Sequence, residues 1–403
     1  MVKRSGLWLT ILFALFFCWQ IQPAAAFTEG QKELLQSWRI VNQAYIDETF
    51  NNQNWWLLRR QFLKGQLDNS EQTYTAIEEM LATLNDPYTR LLRPEQYSSL
   101  QINTSGELEG VGLQININGA GELEVVAPIA GSPAATAGIA PRDRILAIDG
   151  ISTSTLTLDE SAGRMRGKVG TTVSLTILPR GEETPVTVDL VRDVISLSPV
   201  YATLDERLDN FPIGYVRLSQ FSANAAQEVA TAIEELEQLG AEGYILDLRN
   251  NPGGLLEAGI EIARLWLEEG KIVYTVNREG TMGSFEADGT ALTQDPLVVL
   301  VNEGTASAGE ILAGALQDNG RGLLVGETTF GKGLIQSLFE LVDGAGLAVT
   351  VAKYETPNHK DINKLGITPD RLVAQKPIFL DQIGTEADEQ YQTAVQLLTN
   401  TML

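Results

Sequence analysis

The second half of the chain constrains the fold most, because short apolar runs alternate there with helical patterns. The runs Gly214–Leu218 and Tyr244–Leu248 have the length and composition of buried strands. One face of the helical pattern between them consists of Val229, Ile233 and Leu236. A further strand-like run is Leu297–Val301. From about residue 195 onward, this alternation predicts an α/β core.

Two earlier regions have different patterns. Residues 27–104 carry apolar residues at helical spacing, and one such face consists of Leu34, Trp38, Val41 and Tyr45. Residues 105–192 contain short strand-like runs such as ELEVVAPI and TVSLTIL, separated by Gly and Pro turns. We therefore expect an α+β multidomain protein with an N-terminal helical domain at 27–104, a strand-rich domain at 105–192 and an α/β core at 193–403.

The first 26 residues have the features of an export signal. A basic pair precedes the apolar stretch Leu7–Ile21, and small residues follow at Ala24–Ala26. We expect a signal peptide at residues 1–26 and an exported protein. An uncleaved membrane anchor is the alternative, because the apolar stretch is near the lower limit for a spanning helix. Cys18 is not preceded by a small residue, which argues against lipid attachment.

Charge and composition exclude several classes of function. The formal net charge is −23, from 52 acidic and 29 basic residues, and an acidic protein of this kind is unsuited to binding nucleic acid or anionic lipid. The single Cys lies in the expected signal peptide, and the chain has one His, so the usual zinc sites are excluded. We expect no disulfide, no metal and no organic cofactor.

A serine and a lysine occupy unusual positions in the core. Ser307 lies where a strand-like run and a short turn meet an apolar-periodic helix. Its hydroxyl and the first free N–H of the helix, at Ala308, are expected to face the same point. Lys332 lies between two glycines after another strand-like run, Leu323–Val325. A serine and a lysine can act as nucleophile and general base.

Each residue also has a simpler interpretation. Ser307 could be an ordinary helix cap and Lys332 a solvated cation, although Leu334 and Ile335 make a poor setting for the latter. The only histidine, His359, lies in a polar segment that resembles a surface turn, so a Ser-His-Asp triad has weak support. To act as base, Lys332 must be neutral, which requires its pKa to fall from about 10.4 to roughly 8 and costs about 3 kcal/mol.

A nucleotide site is a rival interpretation of the same segment. Gly326, Gly331 and Lys332 form a G-x-x-x-x-G-K pattern directly after a strand-like run. However, Gly333 stands where a phosphate-binding loop needs Ser or Thr, and no clear amphipathic helix follows. The sequence therefore disfavours an NTPase.

Three motifs together resemble those of the C-terminal processing peptidases, or tail-specific serine proteases: DLRNNPGG, TASAGEI and the FGKG loop. That family uses a Ser/Lys dyad. The resemblance implies Ser307 as nucleophile, Lys332 as base and Gln336 as the residue that orients the lysine. It also marks three supporting residues, which are Asp247, Arg249 and Glu310. The alternative for these three is a structural ion-pair cluster.

The NNPGG turn of the first motif follows a strand-like run, as the Ser307 turn does. Glycines in such a turn can present N–H groups to an oxyanion, so we expect the donors to be Gly253, Gly254 and Ala308. The alternative is a simple tight turn between a strand and a helix. Both turns follow strands, where α/β sheets place their sites.

Residues 105–192 resemble a PDZ domain. Within the segment EGVGL, the expected peptide-binding residues are Gly110, Val111, Gly112 and Leu113. In this kind of loop successive N–H groups receive a peptide C-terminus while an edge strand pairs with the peptide. The later segments SPAATAG and DRILAIDG favour this interpretation over a plain turn.

The stretch WRIVNQAYIDETFNNQNWW resembles the cyanobacterial and chloroplast branch of the family, which trims the precursor of the photosystem II reaction-centre protein. The resemblance implies a serine endopeptidase that captures protein C-terminal tails with its PDZ domain. It also implies action in the thylakoid lumen or periplasm and allows a membrane-protein substrate. A general tail-specific protease and a non-catalytic PDZ scaffold are the alternatives. The sequence leaves the oligomeric state open.

Overall fold

The computed structural model describes residues 27–207, 211–376, 378 and 382–400. The expected signal peptide therefore lies outside the described residues. Within these ranges, no helix is long and apolar enough to cross a lipid bilayer.

The helices are numbered in chain order. They are α1 (Glu29–Ala44), α2 (Trp55–Phe62), α3 (Ser70–Ala82), α4 (Pro94–Ser105), α5 (Pro133–Thr136), α6 (Leu158–Met165), α7 (Ala225–Gln238), α8 (Leu256–Trp266), α9 (Ala308–Asp318) and α10 (Glu389–Asn400).

The strands are numbered in the same way. They are β1 (Arg90–Leu92), β2 (Glu107–Gly110), β3 (Leu113–Ile117), β4 (Leu123–Pro128), β5 (Arg144–Ile148), β6 (Ile151–Ser152), β7 (Thr172–Leu178), β8 (Val186–Val191), β9 (Asp193–Ser196), β10 (Val200–Asp205), β11 (Ile213–Leu218), β12 (Gly243–Asp247), β13 (Lys271–Asn277), β14 (Gly280–Glu286), β15 (Leu297–Val301), β16 (Gly322–Gly326), β17 (Leu334–Glu340), β18 (Gly346–Glu355) and β19 (Arg371–Leu372).

The first of two compact units combines the N-terminal helices with a distant hairpin. It comprises the chain up to Tyr97 together with Gln336–Ala352. Helix α1 begins after Thr28, whose hydroxyl accepts a hydrogen bond from Gln31 N–H at 3.2 Å. Helical spacing buries one face of α1, as predicted, against α3 and the hairpin. The core of this unit includes Leu34, Trp38, Val41, Ile77, Leu81, Leu341, Leu347 and Val349.

The second unit, Ser98–Ile335 with Lys353–Leu403, begins with a strand-rich part. Its sheet has the order β3–β4–β5–β7–β8, with β6 beside β5. Strand β7 alternates as a half-buried strand should, and it buries Val173, Leu175 and Ile177. Among the described strands β3 pairs only with β4, and helix α6 contacts β3. An edge strand beside a helix is the arrangement that peptide addition needs.

The predicted α/β core is a sheet of order β10–β11–β12–β15–β16–β19. Strands β11 to β19 along this order run parallel, and β10 pairs antiparallel at the edge. Leu246 and Val299 face a cluster with α7, α8 and α9, whereas Ile245 and Val298 face α10. Because both faces are covered, β12 and β15 are buried throughout. Since β12 and β15 are parallel neighbours, the turns that follow them lie at the same edge of the sheet.

The strand that follows the lysine loop decides against the nucleotide-binding alternative for this segment. Strand β17 occupies Leu334–Glu340, where a phosphate-binding loop would continue as a helix, so the NTPase alternative is excluded. The C-terminal helix α10 begins at Glu389. It begins there because Asp388 caps it, accepting a hydrogen bond from Tyr391 N–H at 3.0 Å.

Candidate active site

Ser307 has a strained backbone at the junction of β15 and α9. Its φ and ψ are 56° and −117°, and α9 begins at the next residue. A positive φ is uncommon for a residue with a Cβ and persists only where the surroundings enforce it. The predicted turn from strand to helix is thus confirmed, with a conformation that an ordinary cap does not need.

Glu310 in the first turn of α9 joins the serine turn to the lysine loop. Its side chain is fully buried. Oxygen Oε2 accepts hydrogen bonds from the N–H groups of Ser307 and Lys332, both at 2.9 Å. Oxygen Oε1 accepts from Thr329 Oγ1 at 2.6 Å and from Gly331 N–H at 2.8 Å. These four donors stabilise a buried carboxylate that has no ion pair among the described residues, so the ion-pair alternative does not hold for Glu310.

The glycines beside Lys332 allow its loop to pack closely on the segment from Asn363 to Gly366. A Cβ built on Gly331, whose φ is +88°, would lie 3.0 Å from backbone atoms of Lys364 and Gly366. A Cβ on Gly333 would lie 2.8 Å from Asn363 N. The side chain of Lys332 is partly buried. The two glycines therefore allow a close approach of backbone that a residue with a Cβ would prevent.

Tyr354, at the end of β18, contacts both backbones as well. Its hydroxyl donates to Lys332 O at 2.6 Å and lies 3.1 Å from Ser307 O. Its N–H donates to Gly333 O at 3.1 Å, and only 1% of its surface is exposed. Sequence reasoning missed this tyrosine, because nothing in the AKYETP segment distinguishes it from any other residue at a strand end.

The NNPGG turn packs directly against the serine. Ala306 N–H donates to Asn251 O at 2.9 Å. A Cβ built on Gly253 would lie 2.8 Å from Ser307 Cβ and 3.1 Å from Ala308 N, so only glycine fits. This turn and Ser307 thus form one surface, as expected from their positions after neighbouring strands.

The three expected oxyanion donors differ in availability. Gly253 N–H already donates to Asn251 Oδ1 at 2.9 Å, which argues against it as a donor in this arrangement. The bridge between Gly254 and Phe221 uses the N–H groups of Phe221 and Leu255, so the N–H of Gly254, like that of Ala308, makes no hydrogen bond to a described residue. Ala308 therefore has the free N–H that an oxyanion requires.

Asp247 and Arg249 form a buried ion-pair cluster that fixes the end of β12. Arg249 donates from Nη2 to Asp247 Oδ2 at 2.6 Å and from Nη1 to Asp388 Oδ1 at 2.8 Å. Tyr215 Oη donates to Asp247 Oδ2 at 2.7 Å. Burial disfavours the charge on Arg249, but attraction to Asp247 outweighs it and raises the pKa of Arg249. The contacts of Asp247 and Arg249 thus agree with the alternative that they form a structural ion-pair cluster. Asp388 belongs to the same cluster, and the sequence did not indicate it.

Comparison with known proteins decides the family. A model of peptidase family S41 matches residues 212–373, and a PDZ-domain model matches residues 124–179. The carboxyl-terminal-processing protease of Synechocystis sp. is 66% identical over 390 residues, which cover 96% of this chain and 91% of that protein. The chain belongs to peptidase family S41. It is a serine-type C-terminal processing peptidase with a PDZ domain.

A further relative and a solved structure are similar to this S41 peptidase over most of its length. The chloroplastic carboxyl-terminal-processing peptidase 2 of Arabidopsis thaliana is 46% identical over 360 residues, covering 86% of this chain and 70% of that protein. A solved structure of a photosystem II D1 C-terminal processing protease has a TM-score of 0.57 and 39% identity, covering 89% of this chain and 98% of that one. The α+β multidomain fold class is confirmed.

The PDZ loop of the S41 peptidase is held to the rest of its domain through two of its carbonyl groups. The carbonyl of Val111 accepts from Ala134 N–H at 3.0 Å, and the carbonyl of Gly112 accepts from Ile129 N–H at 2.9 Å. Gly112 has φ +76°, and a Cβ there would lie 2.2 Å from Ser132 Cβ. The loop joins β2 to the edge strand β3, where a peptide-binding loop must lie.

Gln336 and His359 each contact a residue other than Ser307 and Lys332. Gln336 is in β17 of the first unit, and its Nε2 lies 3.5 Å from Thr350 Oγ1. The ring of His359 stacks on that of Tyr274 with 4.2 Å between the ring centroids, and its Nδ1 lies 3.1 Å from Glu355 Oε2. These contacts occupy the histidine ring and leave the triad alternative without support. Among the described residues, no group of His, Cys, Asp and Glu could hold a metal ion.

Proposed function

We propose that Ser307 is the nucleophile and Lys332 the general base of this S41 peptidase. One observation carries the proposal: a single carboxylate oxygen, Glu310 Oε2, accepts hydrogen bonds from both backbones. A shared acceptor fixes the two residues relative to each other, which a nucleophile and its base require. Gln336 keeps its proposed role in orienting the lysine, and that role rests on the resemblance alone.

In the proposed reaction, the neutral amine of Lys332 takes the proton of Ser307 Oγ as that oxygen attacks the peptide carbonyl carbon. The N–H of Ala308 stabilises the oxyanion of the tetrahedral intermediate, and Gly254 is the candidate for a second donor. Protonated Lys332 then gives its proton to the leaving amine. Lys332, neutral again, then takes a proton from a water molecule that attacks the acyl carbon, and it returns this proton to Ser307 Oγ as the C–O bond to the serine breaks and the carboxylic acid product leaves.

The substrate in this proposal is a protein tail with a free C-terminus. Its carboxylate binds the N–H groups of the Gly110–Leu113 loop, and the preceding residues pair with the edge of β3. The ion-pair cluster of Asp247 and Arg249 supports the site indirectly, because it holds the strand end that the NNPGG turn follows.

We further propose that the tail belongs to the precursor of the photosystem II D1 protein. In this proposal residues 1–26 direct the export of the peptidase, which then cleaves the precursor in the thylakoid lumen or periplasm. The name of the 39%-identical structure supports this substrate. A general tail-specific protease is the alternative. Mass spectrometry of the tails that accumulate in a deletion strain distinguishes the two, because a general protease would leave many extended proteins and a dedicated one only the D1 precursor.

Substitution of the serine tests the catalytic proposal. Ser307→Ala should abolish cleavage of a tail peptide and reaction with a fluorophosphonate, because only the attacking oxygen is lost. Binding of the peptide to the PDZ domain should remain. Cleavage by the purified variant would contradict the proposal, and absence of cleavage by the wild type would favour the PDZ scaffold.

The substitution Lys332→Arg tests whether Lys332 acts as a general base or only supplies a positive charge. Guanidinium does not deprotonate near neutral pH, so this variant should be inactive although the charge is kept. His359→Ala is the matched control and should cleave at the wild-type rate. Activity of Lys332→Arg together with inactivity of His359→Ala would return the base role to the histidine.

A further inference from the structure

Tyr354 is the one described side chain whose hydroxyl lies within hydrogen-bond distance of the main chain of both proposed catalytic residues. Its oxygen is 2.6 Å from Lys332 O and 3.1 Å from Ser307 O. The residue is 1% exposed, so water does not compete for these bonds. The contact is on the carbonyl side of the two residues, whereas Glu310 binds their N–H groups.

The two contacts use one proton. A phenol carries a single O–H, so its hydrogen is shared between two carbonyl oxygens in a three-centre bond. Ser307 O also accepts hydrogen bonds from the N–H groups of Glu310 and Ile311, as the first carbonyl of α9. The phenol is the donor that Ser307 O shares with Lys332 O, so it links the serine turn directly to the lysine loop.

The strand also limits how far the lysine loop can move. Tyr354 N–H donates to Gly333 O at 3.1 Å, so β18 binds the loop at Gly333 as well as at Lys332. Glu310 thus binds the N–H groups of Ser307 and Lys332, and Tyr354 binds the carbonyl groups of the same two residues. Loss of one leaves the other as a hinge about which the loop can turn.

We propose that Tyr354 is a positioning residue of the peptidase, whose hydroxyl sets the separation of the serine and lysine backbones. The inference rests on the proposed Ser307 and Lys332 pair. It assigns no contact between Tyr354 and the substrate, so its loss should affect the chemical step and leave capture of the tail unchanged.

Tyr354→Phe removes the hydroxyl alone. We expect kcat, normalised to active sites titrated with a fluorophosphonate, to fall roughly 10- to 100-fold, because small displacements of a base have effects of this size. The dissociation constant of a tail peptide should stay the same. The pH midpoint of fluorophosphonate reaction should rise by about half a unit or more, since a less confined lysine is better solvated and keeps its proton longer.

Tyr244→Phe is the matched control. Tyr244 is a buried tyrosine of the same core, and its hydroxyl donates to Glu237 Oε1 at 2.9 Å. It should lose stability in urea but keep the wild-type kcat and pH midpoint. If Tyr354→Phe behaves like this control, the tyrosine is only structural and the inference is wrong. Retained cleavage by Ser307→Ala would instead overturn the proposed pair on which it rests.

Discussion

Ser307 has a backbone conformation that residues with a Cβ rarely adopt, and Glu310 is what maintains it. A positive φ costs on the order of 1 to 3 kcal/mol, so other contacts must compensate. The hydrogen bond from Ser307 N–H to the buried Glu310 is charge-assisted, and such bonds are about twice as strong as neutral ones. The acid therefore helps to set the geometry of the proposed nucleophile.

Glu310→Gln should disturb both stability and catalysis. The carboxylate accepts four hydrogen bonds, two at each oxygen. The amide of Gln has only one oxygen, so two of the four donors would face its NH₂ group instead. We expect a loss of about 2 to 4 kcal/mol in the free energy of unfolding, measured in urea. We also expect kcat to fall at least about 100-fold, because the serine and lysine lose their common acceptor.

Glu303→Gln is the control for this variant. Glu303 lies in the turn between β15 and α9 and is exposed, so the substitution changes the charge without changing a buried contact. Its stability and kcat should match those of the wild type. A Glu310→Gln variant that also matched the wild type would show that the carboxylate charge has no part in holding the two residues.

The sequence predicted Ser307 and Lys332 because their signals are local. A strand, a turn and a helix are encoded within a few neighbouring residues, and so is a lysine between glycines. Tyr354 and Asp388 were missed because their partners are distant in sequence. Their contacts depend on how β18 and α10 pack, which neither composition nor periodicity reveals.

At the scale of elements, α1 meets the turn between β17 and β18 through two acids. Tyr74 Oη donates to Asp343 Oδ2 at 2.5 Å, and Glu33 Oε1 is buried without a hydrogen-bond partner among the described residues. Burial and then the charge on Asp343 raise the pKa of Glu33 to about 7. Hydrogen bonds, first that from Tyr74, outweigh the effect of burial and lower the pKa of Asp343. Glu33 is thus the member of the pair that keeps a proton.

The sign of the pH effect follows. Unfolded Glu33 loses its proton near pH 4.5, whereas folded Glu33 keeps it to about pH 7, so stability from this contact falls as the pH rises through that interval. Glu33→Gln mimics the protonated form. Because the side chain is only half buried, we expect the variant to be more stable than the wild type by only about 1 kcal/mol at pH 8. Urea denaturation at pH 5 should show little difference.

Glu29→Gln is the control on the same helix. Glu29 is 89% exposed in a pair with Lys32, so its removal should change stability little at either pH. An equal response of Glu29→Gln and Glu33→Gln would show that the charge of α1 as a whole, and not the buried pair, causes the pH dependence.

At the scale of the molecule, the two proposed sites lie in different cores of the second unit. The PDZ loop at Gly110–Leu113 lies on one sheet, and the turns of the proposed dyad lie on another. Sequence patterns indicated both, because a run of short strands and an alternation of strands with helices differ along the whole length of each region. They did not indicate that Gln336–Ala352 packs with the N-terminal helices, since partners so far apart leave no local pattern.

Capture by the PDZ loop predicts a dependence on the end of the substrate. Amidating the terminus removes its charge and about 1.5 to 3 kcal/mol of hydrogen bonding, so kcat/KM should fall roughly 10- to 100-fold. The loss should appear in KM, unless tail binding also moves the PDZ domain, in which case kcat falls too. Steady-state cleavage of free and amidated tails measures it. Equal kcat/KM values would rule out this role for the loop.

Two glycine variants provide the control. Gly112→Ala should weaken binding of free tails, because its φ is positive and a Cβ would meet Ser132. Gly119→Ala should not, because a Cβ there meets nothing within 4 Å. Preference for a free terminus that survived in Gly112→Ala would place the carboxylate site elsewhere.

The hairpin that completes the first core also determines when, during synthesis, the N-terminal helices can reach their final packing. A chain is synthesised from its N-terminus, so the helices that carry Leu34 and Ile77 emerge long before Leu347 and Val349, which belong to the same core. Until residue 352 has been made, those helices lack part of their apolar partner surface. The earliest part of the chain to be synthesised is therefore among the last to reach its final packing, and its exposed apolar faces need protection in the meantime.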